Sequence, residues 1–276
     1  MIFRMETYSI SYNNSTVIYR VTGTGKPVVL IHGFGEDGTL WQSQIDFLKN
    51  DFTVIIPDIP GSGQSEFLEN ANIETYAEVI KLILDAEVQK SPLYTIGGFA
   101  IIGHCMGGYI TLAFAEKYPQ YLNSFGLFHS TAFADSEEKK ETRRKAIEFI
   151  ENKGADAFFK LTTPALFTEH FAKNYLEIIT SLLSKQKKFT TVALIQYYKA
   201  MIGRPDRTAV LQNFNKPILF IIGEHDIAIP LQSSLQQCYV PSKSYLTILD
   251  QSAHMGMWEE KDKANNILLD FLVNKL

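Results

Sequence analysis

Five short runs constrain the fold of this chain more than any other feature: "PVVLIHGFG", "FTVIIPDIPGSG", "FAIIGHCMGG", "SFGLFHS" and "PILFIIGEHD". Each is apolar, rich in β-branched or aromatic residues, and ends in glycine or a turn. A run that is apolar at successive positions, without alternation, suits a strand buried on both faces, as in a parallel sheet covered by helices. Helical patterns lie between the runs, at about Thr39 to Lys49, Ile73 to Gln89 and Gly107 to Lys117. This alternation predicts an α/β fold with a mostly parallel, doubly wound sheet. Two alternating segments joined near Asn13-Asn14 predict an opening pair of strands. "SYLTILDQSAH" supplies a last strand, and "WEEKDKANNILLDFLVNKL" a last helix with apolar spacing at Ile267, Leu268, Phe271 and Leu272.

The rhythm breaks between about Thr131 and Pro205, where only helical patterns occur: Ser136 to Asn152 (stopped by Gly154), Ala155 to Leu161, Thr168 to Lys185 and Phe189 to Ile202. This predicts a helical cap, residues 131–205, inserted into a core formed by 1–130 and 206–276. The insertion carries 13 Lys+Arg against 9 Asp+Glu (+4), whereas the remainder carries 13 against 21 (−8). "DSEEKKETRRK" reads as a solvated helix face with mixed i,i+4 pairs rather than a docking patch.

Composition limits what such a fold does. With 276 residues, 46% of them hydrophobic, the chain can build a large core. A formal net charge of −4 argues against a nucleic-acid partner. The longest apolar stretches are about eight residues, below the roughly 18 of a membrane span. "MIFRMETYSISYNN" has no apolar core of a signal peptide, so no membrane partner and a cytoplasmic location are expected. Cys105 and Cys238 are the two cysteines, and in that setting reduced thiols are the expectation. No CxxC or His-rich spacing points to a metal, and no cofactor signature is visible. The sequence carries no signal of oligomeric state.

In a parallel sheet, ligands bind beyond the carboxyl ends of the strands. Three reactive residues fall at predicted strand ends: Cys105 after "FAIIG", Asp226 after "ILFIIG" and His254 after "YLTILD". Their order is nucleophile, acid, base. Gly103-His104-Cys105-Met106-Gly107 matches a G-x-S-x-G nucleophile elbow with sulfur in place of oxygen. Small residues two positions either side let the chain turn sharply, and Gly108 lets the next helix approach the sheet. A thiol at a helix N-terminus, beside an imidazole, is favoured as thiolate. Asp226 would hold the His254 tautomer and stabilise its imidazolium. The backbone N–H groups of Phe34, in "HGFG", and Met106 are candidate oxyanion donors. His32 and His104 neighbour these turns and read as structural, through hydrogen bonds. Phe158, Phe159, Phe167 and Tyr197, with His129 and Met257, are candidate substrate contacts; core packing is the commoner role for such aromatic residues.

Together "VVLIHGFG", "DIPGSGQS", "GHCMGG", "GEHDIAIP" and "SAHMGMWEE" resemble the α/β-hydrolase superfamily, in particular its cap-bearing, esterase-like members. The motifs lie in order and span the chain apart from the insertion. The resemblance implies an α/β-hydrolase fold with an eight-stranded sheet and a helical lid, and a triad that maps to Cys105, Asp226 and His254. Most members carry serine at the elbow; cysteine there is similar to dienelactone hydrolases and polyhydroxyalkanoate synthases. The expected activity is hydrolysis of a small-molecule carboxylic ester or thioester through a Cys105 acyl-enzyme, on a modestly hydrophobic acyl or aryl substrate. Acyl transfer from the same thioester, or non-catalytic binding of a small molecule, are the alternatives.

Overall fold

The structure is a computed structural model that describes residues 3–274; residues 1, 2, 275 and 276, at the ends of the expected core, lie outside it. Eight strands form one sheet: β1 (Glu6–Tyr12), β2 (Ser15–Gly23), β3 (Lys26–Ile31), β4 (Phe52–Pro57), β5 (Phe99–His104), β6 (Leu122–Phe128), β7 (Ile218–Gly223) and β8 (Ser244–Leu249). Their spatial order is β1-β2-β4-β3-β5-β6-β7-β8. β1 pairs antiparallel with β2, and β2 with β4. From β4 to β8 all neighbours are parallel. The strands made of continuous apolar runs, β4, β5 and β7, are buried at every residue, because helices cover both faces. Asn13 and Asn14, at φ 47° and 65°, make the hairpin turn between β1 and β2, a conformation that Asn tolerates better than most residues.

Helices α1 (Gln42–Leu48), α2 (Ile73–Lys90) and α3 (Met106–Lys117) follow β3, β4 and β5. The Asn72 and Thr75 side chains cap α2 reciprocally. Between β6 and β7, residues 131–205 hold α4 (Glu137–Thr162), α5 (Glu169–Asn174), α6 (Leu176–Gln186) and α7 (Thr191–Gly203), and α8 (Thr208–Asn213) leads back to the sheet. α9 (Leu231–Cys238) joins β7 to β8, and α10 (Gly256–Glu259) and α11 (Lys261–Asn274) follow β8.

Helix continuity departs from the spacing in three places. The helix expected over Thr39 to Lys49 starts as a 3₁₀ turn, Gly38–Trp41, capped by Asp37. The single helix expected over Thr168 to Lys185 is two, broken at Tyr175 (φ −129°, ψ 46°). There the Asn174 amide donates to the His170 carbonyl (2.8 Å), a side-chain bond that competes with the helical ladder. The last helix is interrupted at Glu260 (φ −124°, ψ 52°), whose carboxylate accepts from the Gln251 N–H and the Ser252 hydroxyl. Gly154, at φ 82°, kinks α4 where the periodicity has its stop.

Two apolar layers sandwich the sheet. One joins α2 and α3 to the strands and to Phe158, Phe159, Leu194 and Tyr197 of the inserted helices. The other joins α1 and α11 to the opposite face, with Trp41, Met255, Met257 and Phe271.

Candidate active site

The turn from β5 into α3 is crowded. A Cβ on Gly103 would lie 2.2 Å from the Gly107 carbonyl oxygen, and one on Gly107 would lie 2.4 Å from that of Ile31. Only glycine fits either place. The chain thereby passes through Cys105 at φ 50°, ψ −115°, a sparsely populated conformation that costs on the order of 1–3 kcal/mol. Surrounding bonds hold it: the Cys105 N–H donates to the Phe128 carbonyl (3.0 Å), and its own carbonyl accepts from Gly108 N–H (3.0 Å) and the Ser130 hydroxyl (2.7 Å).

Asp226 and His254 emerge from the ends of β7 and β8 and meet. His254 Nδ1 and Asp226 Oδ2 are 2.8 Å apart. The other Asp226 oxygen accepts from the N–H groups of Ala228 (2.8 Å) and Ile229 (2.9 Å). Burial alone would raise the Asp226 pKa; the His254 charge and the side-chain bonds to His129 and His254 outweigh it and hold the carboxyl well below its usual range. The His254 ring and the Cys105 thiol are close enough for the charge of each to act on the other. Burial opposes charge on both, yet each stabilises the other's ionised form. The Cys105 pKa falls below, and the His254 pKa rises well above, its ordinary value. Both shifts favour a thiolate beside an imidazolium. Cys105 is half-buried and so open to a ligand. Cys238 differs: it is buried, donates to the Ser234 carbonyl (3.1 Å), and burial pushes its thiol up to about 12.

The "HGFG" loop lies against the nucleophile, since a Cβ on Gly33 would stand 2.9 Å from that of Cys105. Among the described residues, the Phe34 and Met106 amides donate to no carbonyl or side chain, as oxyanion donors must. His32 is structural: its Nε2 accepts from Ile59 N–H (3.0 Å) and its Nδ1 faces the Gly33 carbonyl (2.9 Å). His104 is more closely tied to the site. Its Nδ1 meets Glu36 Oε2 (2.9 Å) and its Nε2 meets the His254 carbonyl (3.0 Å). Glu36 also accepts from Gly33 N–H (2.7 Å). One buried carboxylate thus ties the oxyanion loop, the elbow and the His254 loop together. Burial would raise the Glu36 pKa, but the His104 charge lowers it on balance.

Glu36 is a residue that strand-end reasoning misses, because it lies five residues beyond the end of β3, past the glycine turn. Glu259 is another. Its carboxylate accepts from Ala253 N–H (2.9 Å) and Met255 N–H (3.2 Å), on either side of His254, and from Thr168 N–H (2.7 Å) of the insertion. The His254 N–H itself donates to the Leu166 carbonyl (2.9 Å). Leu166 and Thr168 therefore brace the His254 loop.

The candidate substrate contacts divide. Phe158, Phe159 and Tyr197 converge on the Phe34 ring, at centroid distances of 6.1, 6.5 and 6.2 Å. Phe167 and Met257 are not among them. They belong to the apolar layer on the α1/α11 side, where Phe167 stacks on Phe171 (5.3 Å) and Trp258 (6.1 Å). His129 also departs from the expectation. It is buried behind the acid, with Nδ1 3.4 Å from Asp226 Oδ2. Backbone N–H groups of Gly223 (3.0 Å) and Gly256 (3.2 Å) point at its two nitrogens. Burial lowers its pKa to about 4, so it packs as a neutral ring.

The fold has counterparts among known proteins. Residues 26–147 match the family model described as the alpha/beta hydrolase fold. A malate-bound thermophilic esterase from Thermogutta terrifontis superposes with a TM-score of 0.88 at 26% identity, over 97% of this chain and 98% of that one. A 2-hydroxy-6-oxononadienedioate/2-hydroxy-6-oxononatrienedioate hydrolase of Burkholderia vietnamiensis is 24% identical, over 93% of this chain and 90% of its own length. A pimeloyl-[acyl-carrier protein] methyl ester esterase of Vibrio atlanticus is 23% identical, over 94% and 98%. With its strand order, and with Cys105, Asp226 and His254 at the ends of β5, β7 and β8, the chain has the α/β-hydrolase fold and is similar to hydrolases and esterases.

Proposed function

We propose that this chain hydrolyses a carboxylic ester or thioester through a thioester acyl-enzyme on Cys105. The observation that carries the reading is the buried Asp226–His254 pair beside the half-buried Cys105, whose sulfur sits on a strained turn at a helix N-terminus. The Cys105 thiolate adds to the acyl carbon while the Phe34 and Met106 N–H groups take the developing oxyanion. The His254 imidazolium gives its proton to the departing oxygen or sulfur. The imidazole then accepts a proton from water, which attacks the thioester and regenerates the thiolate. Asp226 keeps the imidazole in the productive tautomer throughout. Residues 131–205 act as a cap: their Phe158, Phe159 and Tyr197 roof Phe34, and Leu166 and Thr168 clasp the His254 loop.

The test is turnover of short and medium p-nitrophenyl esters and their thioester counterparts. Cys105→Ala is expected to lower kcat/KM on the order of 10³-fold or more while leaving the fold intact. Equal rates with and without the thiol overturn the reading. A stoichiometric burst without turnover, relieved by an added alcohol or thiol, moves the assignment to acyl transfer.

A further inference from the structure

The charged run of α4 divides between its two faces. The outward side chains pair with one another at the surface, Lys140 with Glu137 (2.8 Å) and Arg144 with Glu141 (3.1 Å). Lys139 and Arg143 lie four residues apart, hence on one face of the helix, and turn inward. Lys139 Nζ donates to the Ala228 carbonyl (3.0 Å), on the loop whose N–H groups hold Asp226. Arg143 Nε donates to Asp135 Oδ2 (2.6 Å), and its guanidinium lies 5.7 Å from the Tyr198 ring. The Tyr198 ring in turn lies 4.5 Å from Phe34, beside the candidate oxyanion amide. The two cations thus flank the approach to Cys105, one from the acid loop and one from across an aromatic ring.

The charges here do not balance. Asp135 is shared between Arg143 and Arg204 (3.0 Å). Arg204 is already committed: it lies 3.8 Å from the Tyr109 ring and donates to the Met201 and Phe133 carbonyls. Asp226 is committed to His254 and to two amides. Among the described residues, Lys139 has no carboxylate within ion-pair distance. Asp135 thus serves two guanidinium groups while Lys139 meets only a carbonyl, and burial draws the Lys139 ammonium below its ordinary pKa. Excess charge in a half-buried place is costly unless an anion joins it. Cys105, Phe34, Tyr198, Lys139 and Arg143 all keep some accessible surface, so an anion can reach them.

We propose that Lys139 and Arg143 form an anion subsite, and that the substrate is an ester bearing a carboxylate a few bonds from its reacting carbonyl. Arg143 offers planar, directional donors and Lys139 a mobile point charge, a pairing that suits a carboxylate. Phe34, Phe158 and Tyr198 accommodate the apolar portion of the same substrate. The assignment rests on the hydrolase reading above for the position of the reacting carbonyl, but the subsite can be tested without turnover.

The experiment compares kcat/KM for p-nitrophenyl hydrogen glutarate with p-nitrophenyl butyrate, and for 4-acetoxybenzoate with 4-acetoxybenzamide. Each comparison is made in the wild-type chain, Lys139→Met and Lys139→Arg. Thermal melting with and without glutarate is measured in the same proteins and in Cys105→Ala. The expected result is a preference of roughly 10- to 100-fold for the carboxylate member of at least one pair. Lys139→Met collapses that preference and Lys139→Arg keeps part of it. Glutarate raises Tm in the wild type and in Cys105→Ala, but not in Lys139→Met. Cys105-dependent turnover with no carboxylate preference and no glutarate shift overturns the subsite and leaves the hydrolase reading standing. A glutarate shift lost in Lys139→Met, without turnover of any ester, supports the subsite while the hydrolase reading fails. If Lys139→Met moves only the pH dependence of Cys105 alkylation, the cations serve the thiolate and the subsite falls.

Discussion

Cys105 has two neighbours with opposite effects on its proton. Burial disfavours the thiolate, and the influences that favour it, the His254 charge foremost, outweigh burial. The sign follows: a depressed thiol pKa leaves thiolate present at pH values below the ordinary thiol range of about 8.5. Alkylation by iodoacetamide, followed by mass spectrometry, is expected to show its acid limb below that range. In His254→Ala the main influence favouring the thiolate is gone, and the limb moves to higher pH. Cys238, pushed up to about 12, stays unmodified as an internal control. Glu36 acts on structure at the same scale. Glu36→Ala removes the acceptor of Gly33 N–H and the partner of His104, both buried. Stripping one member from such a buried pair is expected to cost about 3 kcal/mol, read as a lower urea midpoint. A loss below about 1 kcal/mol would show that the pair carries little of the fold.

The elbow is an element whose sequence answers to its neighbours rather than to helix or strand propensity. Gly107 lies inside α3, where alanine is ordinarily the better residue by up to about 1 kcal/mol. Here an added methyl meets the Ile31 and His32 carbonyl oxygens at 2.4 and 2.6 Å. Gly107→Ala is therefore expected to destabilise by about 3 kcal/mol or more, or to prevent folding. Gly203 ends α7 with no left-handed φ, and a methyl added there would meet nothing within 4 Å. Gly203→Ala is expected to be neutral or to stabilise by about 0.5 kcal/mol. Parallel melts of the two variants check the contrast, and equal effects would show that the close approach of α3 to β3 is not what demands glycine.

For the whole molecule, proton linkage ties the site to stability. His129 is neutral in the fold down to about pH 4, whereas in an unfolded chain an imidazole titrates near 6.5. Between those values the unfolded state binds the extra proton, so this contribution to stability is lost as pH falls from about 6.5 to 4. Across that window the loss amounts to about 3 kcal/mol. His129→Asn suits the left-handed backbone there (φ 48°) and is expected to flatten this pH slope while lowering stability at neutral pH. Urea titrations at pH 7, 5.5 and 4.5 measure it, and an unchanged slope assigns the linkage to other groups. Among the described residues, no helix is long and apolar enough to cross a bilayer.

The alternation of apolar runs with helical patterns determined the mostly parallel sheet, since a strand covered on both faces has no polar side to alternate with. The glycine spacing around Cys105 made the elbow legible, because close backbone approach excludes every side chain. Strand-end position then singled out Asp226 and His254, as ligands to a parallel sheet come from the ends of its strands. What sequence could not show was which face each helical residue presents to its neighbours. Lys139 and Arg143 sit in a run whose charges look solvated, and only the seating of α4 turns two of them inward. Phe167 and Met257 look like lining residues, yet they pack in a different apolar cluster from Phe158. His129 and Glu36 acquire their roles from partners tens of residues away, Gly223 and Gly256 for one and His104 for the other. Local spacing determines periodicity and turn geometry; contacts between distant segments are decided by packing, and the substrate-facing half of the site is made of those.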